Sequence, residues 1–459
     1  MSRPPFASGP EGPDALRPLL DTVLDALREG ATARGGPLPA GGPEAVADRV
    51  RDAIGDVLPR QGTDDALRVL VRALAEGAAD PADPLCAAHL HCPSLAVATA
   101  ADLAASALNP SLDSWDQAPA ASELEALVTR ALAKEVHAAD ALVTTGGTES
   151  NQLALLLARE AHGAVQLVRG ANAHHSLDRA AWLLGLPEPV VVPAPAGTMD
   201  PAALDEALTG CADQRLRRGR GPLIVAATAG TTDAGLIDPL PDIADLCTAH
   251  GARLHIDAAY GGGLLFSDRH RGQLDGIDRA HTVTLDLHKL GWQPVAAGLL
   301  AVRDESDLAA LEHRADYLNA DDDTEAGLPD LLGRSLRTTR RPDILKIAVT
   351  LKTLGRDGIG ALVDQVCARA HELAELIAAH PDFELYDRPV ISTVLFRPAG
   401  APDDAVAAVR RTLLHQGRAV LGRAALDGRL WLKATLLNPH TRPGDLATLL
   451  TLVEGHTPR

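Results

Sequence analysis

Aromatic side chains make up only 2% of this 459-residue chain, so its interior must be built from aliphatic residues and alanine. Cysteine is thin as well. Cys86, Cys92, Cys211, Cys247 and Cys367 are odd in number and contain no C-x-x-C pair, which argues against both a disulfide framework and a zinc site. Positive charge is outweighed, with 43 Lys and Arg against 61 Asp and Glu and a formal net charge of −18. Such a surface repels nucleic-acid phosphates and is compatible with a cationic substrate. No apolar run approaches the ~18 residues of a membrane span. The opening "MSRPPFASGPEGPDALRPLL" has no apolar signal-peptide core. These absences predict a protein of the reducing cytoplasm, with neither nucleic acid nor membrane as partner.

What is present is ordinary for a globular protein, 46% hydrophobic and 23% charged, and long enough for two or three domains. Residues 1–80 read as helices, "LRPLLDTVLDALREG" and "PEAVADRVRDAIGDVL", around the flexible "GATARGGPLPAGGP". This arm is poorly equipped to stand alone and is expected to pack on a partner subunit. From about 95 to 305, strands such as "DALVTT", "AVQLVRG", "PVVVPAP", "LIVAATAG", "ARLHIDAAYGG", "HTVTLDLHK" and "AGLLAVRD" alternate with helices. That alternation predicts an α/β domain with a mostly parallel sheet, whose ligands sit beyond the C-terminal strand ends. After about 345 the pattern becomes a smaller α+β domain. The expected divisions are therefore 1–85, 86–345 and 346–459.

Four features fall at strand ends. "TTGGTES" joins a strand to a helix through Gly146-Gly147, where backbone N–H groups and the helix N-terminus favour an anion. Thr148 and Ser150 offer hydroxyls; taken alone, the stretch reads first as a tight turn with a Thr N-cap. "NAHHSLDRA" sets His174 and His175 before a helix, where an imidazole can lie over a planar ring. "RLHIDAAYGGG" ends a strand on Asp257, a carboxylate able to hold a proton on a heterocyclic nitrogen. "DLHKLGWQP" delivers His288-Lys289 to an apolar strand end, costly for a lysine unless its amine forms an imine. A phosphate cradle, a stacking imidazole, a ring-nitrogen carboxylate and an imine-forming lysine describe one ligand, pyridoxal 5′-phosphate. No metal is implied.

From about residue 85 onward the sequence resembles the group II pyridoxal-phosphate-dependent amino-acid decarboxylases. The resemblance rests on "HLHCPSLAV", "SLDSWDQAPAASELE", "TTGGTESN", "AHHSLDRA", "ATAGTTDAGLID", "HIDAAYGG" and "DLHK" in that order. Within that family it is similar to bacterial decarboxylases of diamino acids (2,4-diaminobutyrate, and lysine or ornithine in siderophore pathways) through "DLHKLGWQP", "ADYLNADDDTEAGLPDLLGRSLRTTRR" and "LLNPHT". The resemblance implies a fold type I, aspartate-aminotransferase-like large domain, a small C-terminal α+β domain and an N-terminal helical arm. It implies a homodimer with its active site at the interface. It also implies that Lys289 is the Schiff-base lysine with His288 beside it, and that Asp257 pairs with the pyridine nitrogen. His174 then stacks on the ring, and Gly146, Gly147 and Thr148 hold the phosphate. Thr232 matches a threonine that contacts the cofactor, and Asp238 an acid supporting the site from behind. Tyr317 matches the tyrosine of a mobile loop that returns a proton to the substrate carbon.

One departure bears on substrate. Before Ser114-Trp115, decarboxylases of aromatic amino acids tend to carry an aromatic residue; this chain has Asp113, suited to a terminal ammonium. Asp113 and Trp115 are therefore the expected substrate-binding residues, the alternative for Asp113 being a helix cap. The rivals are a decarboxylase of aromatic or aliphatic amino acids, a decarboxylation-dependent oxidase, and an aminotransferase using Arg337, Arg340 or Arg341 as a carboxylate clamp. A non-catalytic ligand-binding relative is the rival of another class.

Overall fold

A computed structural model describes residues 4–218, 222–313, 315, 318–320, 322, 325–328 and 331–457. The chain forms two compact units, one of Ser94–Gln365 and one of Met1–Pro93 with Val366–Arg459. Residues Cys86–Ala87 form a two-residue strand, β1, that pairs in parallel with Val420–Leu421, which ties the N-terminal segment to the C-terminal one. A strand of two residues leaves no alternation for a sequence pattern to detect.

The larger unit holds a seven-stranded sheet. Its strands are β2 (Asp140–Thr144), β3 (Gln166–Gly170), β4 (Val190–Val192), β5 (Leu223–Thr228), β6 (Arg253–Ala258), β7 (Thr282–Asp286) and β8 (Gly298–Val302). They lie in the order β2-β8-β7-β6-β5-β3-β4. The pairs from β7 through β6, β5 and β3 to β4 are parallel, and β8 runs antiparallel to both β2 and β7. All seven strands coincide with the apolar runs read from the sequence, because strands of a covered parallel sheet are apolar along their whole length. Every residue of β2, β5, β7 and β8 is buried, and each fully buried Leu, Val or Ile contributes about 1.5–3 kcal/mol. Helix α6 (Gly147–His162) packs on β2, β8, β7 and β6, and α9 (Leu240–His250) on β5 and β6.

The other unit contains α1 (Gly12–Arg34), α2 (Gly42–Ile54) and α3 (Ala66–Gly77), with α3 packing on both α1 and α2. The Arg34 guanidinium fastens the end of α1 to Asp80 at 2.5 Å and to the Ala75 carbonyl at 2.8 Å. Its sheet has the order β1-β11-β12-β10-β9, with β9 Phe383–Leu385, β10 Thr393–Pro398, β11 Val420–Leu426 and β12 Arg429–Thr435. Phe396, Val394, Leu432 and Val406 are among the residues of its aliphatic core. The five cysteines are buried and form no disulfide among the described residues. No helix among the described residues is long and apolar enough to cross a membrane.

Candidate active site

The parallel strands end on one edge of the larger sheet, where Gly146, Gly147, Asp257, His288 and Lys289 are found. Between β2 and α6 the chain turns at Gly146, whose φ of 150° and ψ of −177° belong to a region essentially reserved for glycine. A Cβ on Gly146 would stand 3.0 Å from His288 Cε1, and one on Gly147 3.2 Å from Asp286 Oδ2. The α6 N-terminus is thus left bare at the strand edge, with Thr148 exposed in its first turn. Behind it, Glu149 accepts from Thr145 N–H at 2.6 Å and from its hydroxyl at 2.8 Å, fixing the loop.

Just past β7, Lys289 places Nζ 2.9 Å from Asp286 Oδ2, with Lys289 at 19% and Asp286 at 2% exposure. His288 Nε2 lies 3.5 Å from the same oxygen, and its Nδ1 accepts from Ala297 N–H at 3.3 Å. Burial pushes the His288 pKa below its ordinary value against the pull of Asp286. Asp286 Oδ1 is buried and has no hydrogen-bond partner. One turn on, Trp292 donates its N–H to the Lys289 carbonyl at 3.3 Å and is 1% exposed.

Asp257 occupies the end of β6. Ala259 N–H donates to its Oδ1 at 3.1 Å and Asn151 Nδ2 to its Oδ2 at 2.8 Å, which leaves carboxylate lone pairs for a further donor. His255, two residues earlier on the same strand face, is fully buried, and burial pushes its pKa down to about 4. His174, in the loop before α7 (Ser176–Leu183), has its pKa lowered by burial, with Asp257 opposing. Its ring centroid is 4.1 Å from that of His175.

The other expected residues are placed as follows. Thr232 is exposed in the turn after β5. Asp238 is buried and takes three hydrogen bonds, from Asn172 Nδ2 at 2.7 Å and from Met199 and Thr228 N–H at 2.8 Å. Burial raises its pKa and these donors oppose the shift. Asp113 is 5% exposed and accepts from Gln117 Nε2 at 2.7 Å. It does not cap α5 (Pro119–Ala133), whose N-cap is Ala118. Trp115 lines a cavity of about 310 Å³ with Ser122, Glu125 and Arg334, none of them among the residues at the strand edge. Tyr317 lies outside the described residues. Among the described residues no group of three or more His, Cys, Asp or Glu could hold a metal ion.

Asp286, His255, Asn151 and Ser176 belong to the site without having been singled out. Asp286 stands three residues before Lys289, and His255 shares the i, i+2 spacing with Asp257; both spacings were available. Asn151 carries no such signal.

The arrangement fits pyridoxal phosphate: a bare glycine turn at a helix N-terminus, a neutral imidazole, a carboxylate with lone pairs to spare, and a largely buried lysine. Comparison with known proteins agrees. The family model described as "Pyridoxal-dependent decarboxylase conserved domain" matches residues 62–399. The chain is 42% identical over 422 residues to L-2,4-diaminobutyrate decarboxylase of Rhizobium meliloti (strain 1021), covering 88% of this chain and 84% of that one. It is 33% identical over 403 residues to L-2,4-diaminobutyrate decarboxylase of Acinetobacter baumannii, covering 80% and 78%. Among solved structures it resembles the glutamate decarboxylase domain of diaminobutyrate-pyruvate transaminase and L-2,4-diaminobutyrate decarboxylase from Vibrio parahaemolyticus. That match has a TM-score of 0.86 and 31% identity, over 98% of this chain and 97% of that one.

Proposed function

Since this chain belongs to the pyridoxal-dependent decarboxylase family, with its fold type I architecture, we propose that it releases carbon dioxide from a diamino acid, with 2,4-diaminobutyrate the first candidate and ornithine and lysine next. The relatives that carry the name L-2,4-diaminobutyrate decarboxylase support the substrate class. The grouping of Lys289, Asp257 and His174 at one sheet edge is the observation that carries the chemistry.

The bound pyridoxal phosphate supplies a ring that accepts the electron pair left when the bond from Cα to the carboxylate breaks. Lys289 offers its amine for imine formation, and Asp286, 2.9 Å away, is placed to take or return the proton. Asp257 would hold a proton on the ring nitrogen and so keep the ring electron-poor. His174 would be the imidazole that lies against the bound ring. Gly146, Gly147 and Thr148 receive the phosphate at the α6 N-terminus, and Thr232 and Asp238 border and brace the same edge. Tyr317 returns a proton to Cα, on the strength of the family resemblance. Trp115 lines a cavity apart from the strand edge of its own chain, so it and Asp113 would make their substrate-side contacts in the partner's site of the proposed homodimer, Asp113 pairing with the distal ammonium.

Of the three arginines that an aminotransferase clamp could use, Arg340 and Arg341 are paired away from the strand edge, whereas Arg337 lies beside Glu149 at the edge itself. Arg340 is 2% exposed and forms a two-pronged pair with Glu125, at 2.6 and 2.8 Å. Arg341 donates to Asp102 at 2.8 Å, and Arg337 Nε lies 3.4 Å from Glu149. The commitment of Arg340 and Arg341 favours decarboxylation over transamination. We further propose a cytoplasmic homodimer, supported by five buried cysteines that form no disulfide among the described residues. In it the N-terminal helices, with Leu24 58% and Leu74 72% exposed, and the α2–α3 link, with Leu58 88% exposed, serve as the dimerisation arm.

The test is carbon dioxide release by the holoenzyme on 2,4-diaminobutyrate, ornithine, lysine, DOPA and valine. Turnover confined to the first three is expected. Turnover of DOPA or valine alone refutes the substrate class, and keto-acid formation without carbon dioxide refutes the reaction.

A further inference from the structure

Asn151, in the second turn of α6, is fully buried and uses its whole hydrogen-bonding capacity. Its Nδ2 donates to Asp257 Oδ2 at 2.8 Å and to Ser176 Oγ at 2.9 Å. Its Oδ1 accepts from Thr284 Oγ1 at 2.8 Å and pairs with His255 Nε2 at 3.0 Å. Two donors and two lone pairs are all that an amide has. The orientation is forced, since a flipped amide would turn its oxygen toward a carboxylate that can only accept.

Proton positions follow along the chain. Ser176 Oγ receives Asn151's proton, so its own goes to His174 Nδ1, 2.8 Å away. Ser176's backbone N–H, which can only donate, also points at His174 Nδ1, at 3.3 Å. Nδ1 is therefore the bare nitrogen of His174, and its proton is on Nε2. On the other side, His255 donates from Nε2 to Asn151, leaving its Nδ1 to accept from Thr282 Oγ1 at 2.9 Å.

We propose that Asn151 is a positioning residue for the cofactor site: through one amide it holds Asp257 as an acceptor and, through Ser176, fixes His174 in the Nε2–H form. This rests on the reading of Asp257 and His174 as cofactor residues. Asn151 touches neither substrate nor cofactor; it couples the group proposed for the ring nitrogen to the group proposed for the ring face.

The test uses Asn151→Leu, Ser176→Ala and Ser176→Thr, with Asp257→Asn as reference. Two readouts are needed: the pyridoxal phosphate dissociation constant of each apoenzyme, and the side-chain nitrogen shifts of His174 by NMR. Wild type and Ser176→Thr, which keeps the hydroxyl, are expected to show a bare Nδ1. Asn151→Leu and Ser176→Ala are expected to shift His174 toward a tautomer mixture. Asn151→Leu weakens cofactor binding about tenfold or more, the effect of removing a hydrogen bond from a charged acceptor. The inference is overturned if folded Asn151→Leu leaves both readouts as in wild type. Should that variant not fold, an unchanged His174 signal in Ser176→Ala overturns it. An Asp257→Asn enzyme with unaltered cofactor affinity would instead remove the reading of Asp257 itself.

Discussion

Glu125→Gln tests whether Arg340 is structural or a substrate clamp. Both partners are almost fully buried, at 2% and 3% exposure, with two parallel contacts of 2.6 and 2.8 Å. The arginine backbone is tied in too, its carbonyl accepting from Leu112 N–H at 2.9 Å. Removing one partner of a buried pair leaves an uncompensated charge, at a cost of about 3–5 kcal/mol. Glutamine keeps one acceptor but turns an NH2 toward the second guanidinium prong, so the lower end, about 3 kcal/mol, is expected. For a unit of this size that lowers Tm by about 6–12 °C. The double change Glu125→Leu with Arg340→Met removes both charges and should recover most of the loss, because an apolar pair of similar volume is often neutral or stabilising. Scanning calorimetry of the holoenzymes measures the three values. Assayed well below the transition, the double variant should keep its KM for the diamino acid within about threefold, since the lost guanidinium never meets the substrate carboxylate. A Tm within a degree of wild type for Glu125→Gln would refute the energetic argument. A large rise in KM for the double variant would make Arg340 a clamp and reopen transamination.

Gly146→Ala must place a Cβ at φ 150° and 3.0 Å from His288; with about 1–3 kcal/mol of backbone strain, apoenzyme titration should show cofactor affinity reduced about tenfold or more. His255 has a folded pKa pushed down to about 4 by burial, so the unfolded chain takes up a proton that the folded one refuses. Its contribution is full above its ordinary value of about 6.5 and is lost as pH falls from there toward 4. Tm measured from pH 8 to 4 should therefore fall within that window, and more gently in a folded His255→Asn variant. Asp113→Asn should raise KM for the diamino acid by about tenfold, the weight of one charge-assisted contact, with little change in kcat; equal KM values would remove Asp113 from the substrate site.

The strand edge was legible because covered parallel strands are unbroken apolar runs, so a Gly-Gly, an Asp or a Lys where a run ends is conspicuous. Lys289, Asp257 and Gly146 were found this way. Asn151 was not, since within "GGTESNQ" it looks like a solvated helix start, and only the fold brings it to Asp257, 106 residues away. Asp286 was overlooked for a different reason: an acid closing a strand is usually a turn former, and its burial appears only once β7 and β8 are paired. The attachment of the N-terminal helices to the C-terminal unit was likewise illegible, because its sheet contact is a strand of two residues.

The scarcity of aromatic residues gives this protein an intrinsic optical probe. Of its four tryptophans, Trp182 is 77% and Trp115 39% exposed, whereas Trp292 is 1% exposed and Trp431 5%. Iodide will silence the first two and leave the sheltered pair emitting. Trp292 lies three residues beyond Lys289 and its backbone N–H bonds the lysine carbonyl, so a chromophore docked at that lysine and absorbing where the indole emits would drain its fluorescence by energy transfer. Cofactor loading can then be followed in real time on unlabelled protein, with Trp292→Phe as the blank.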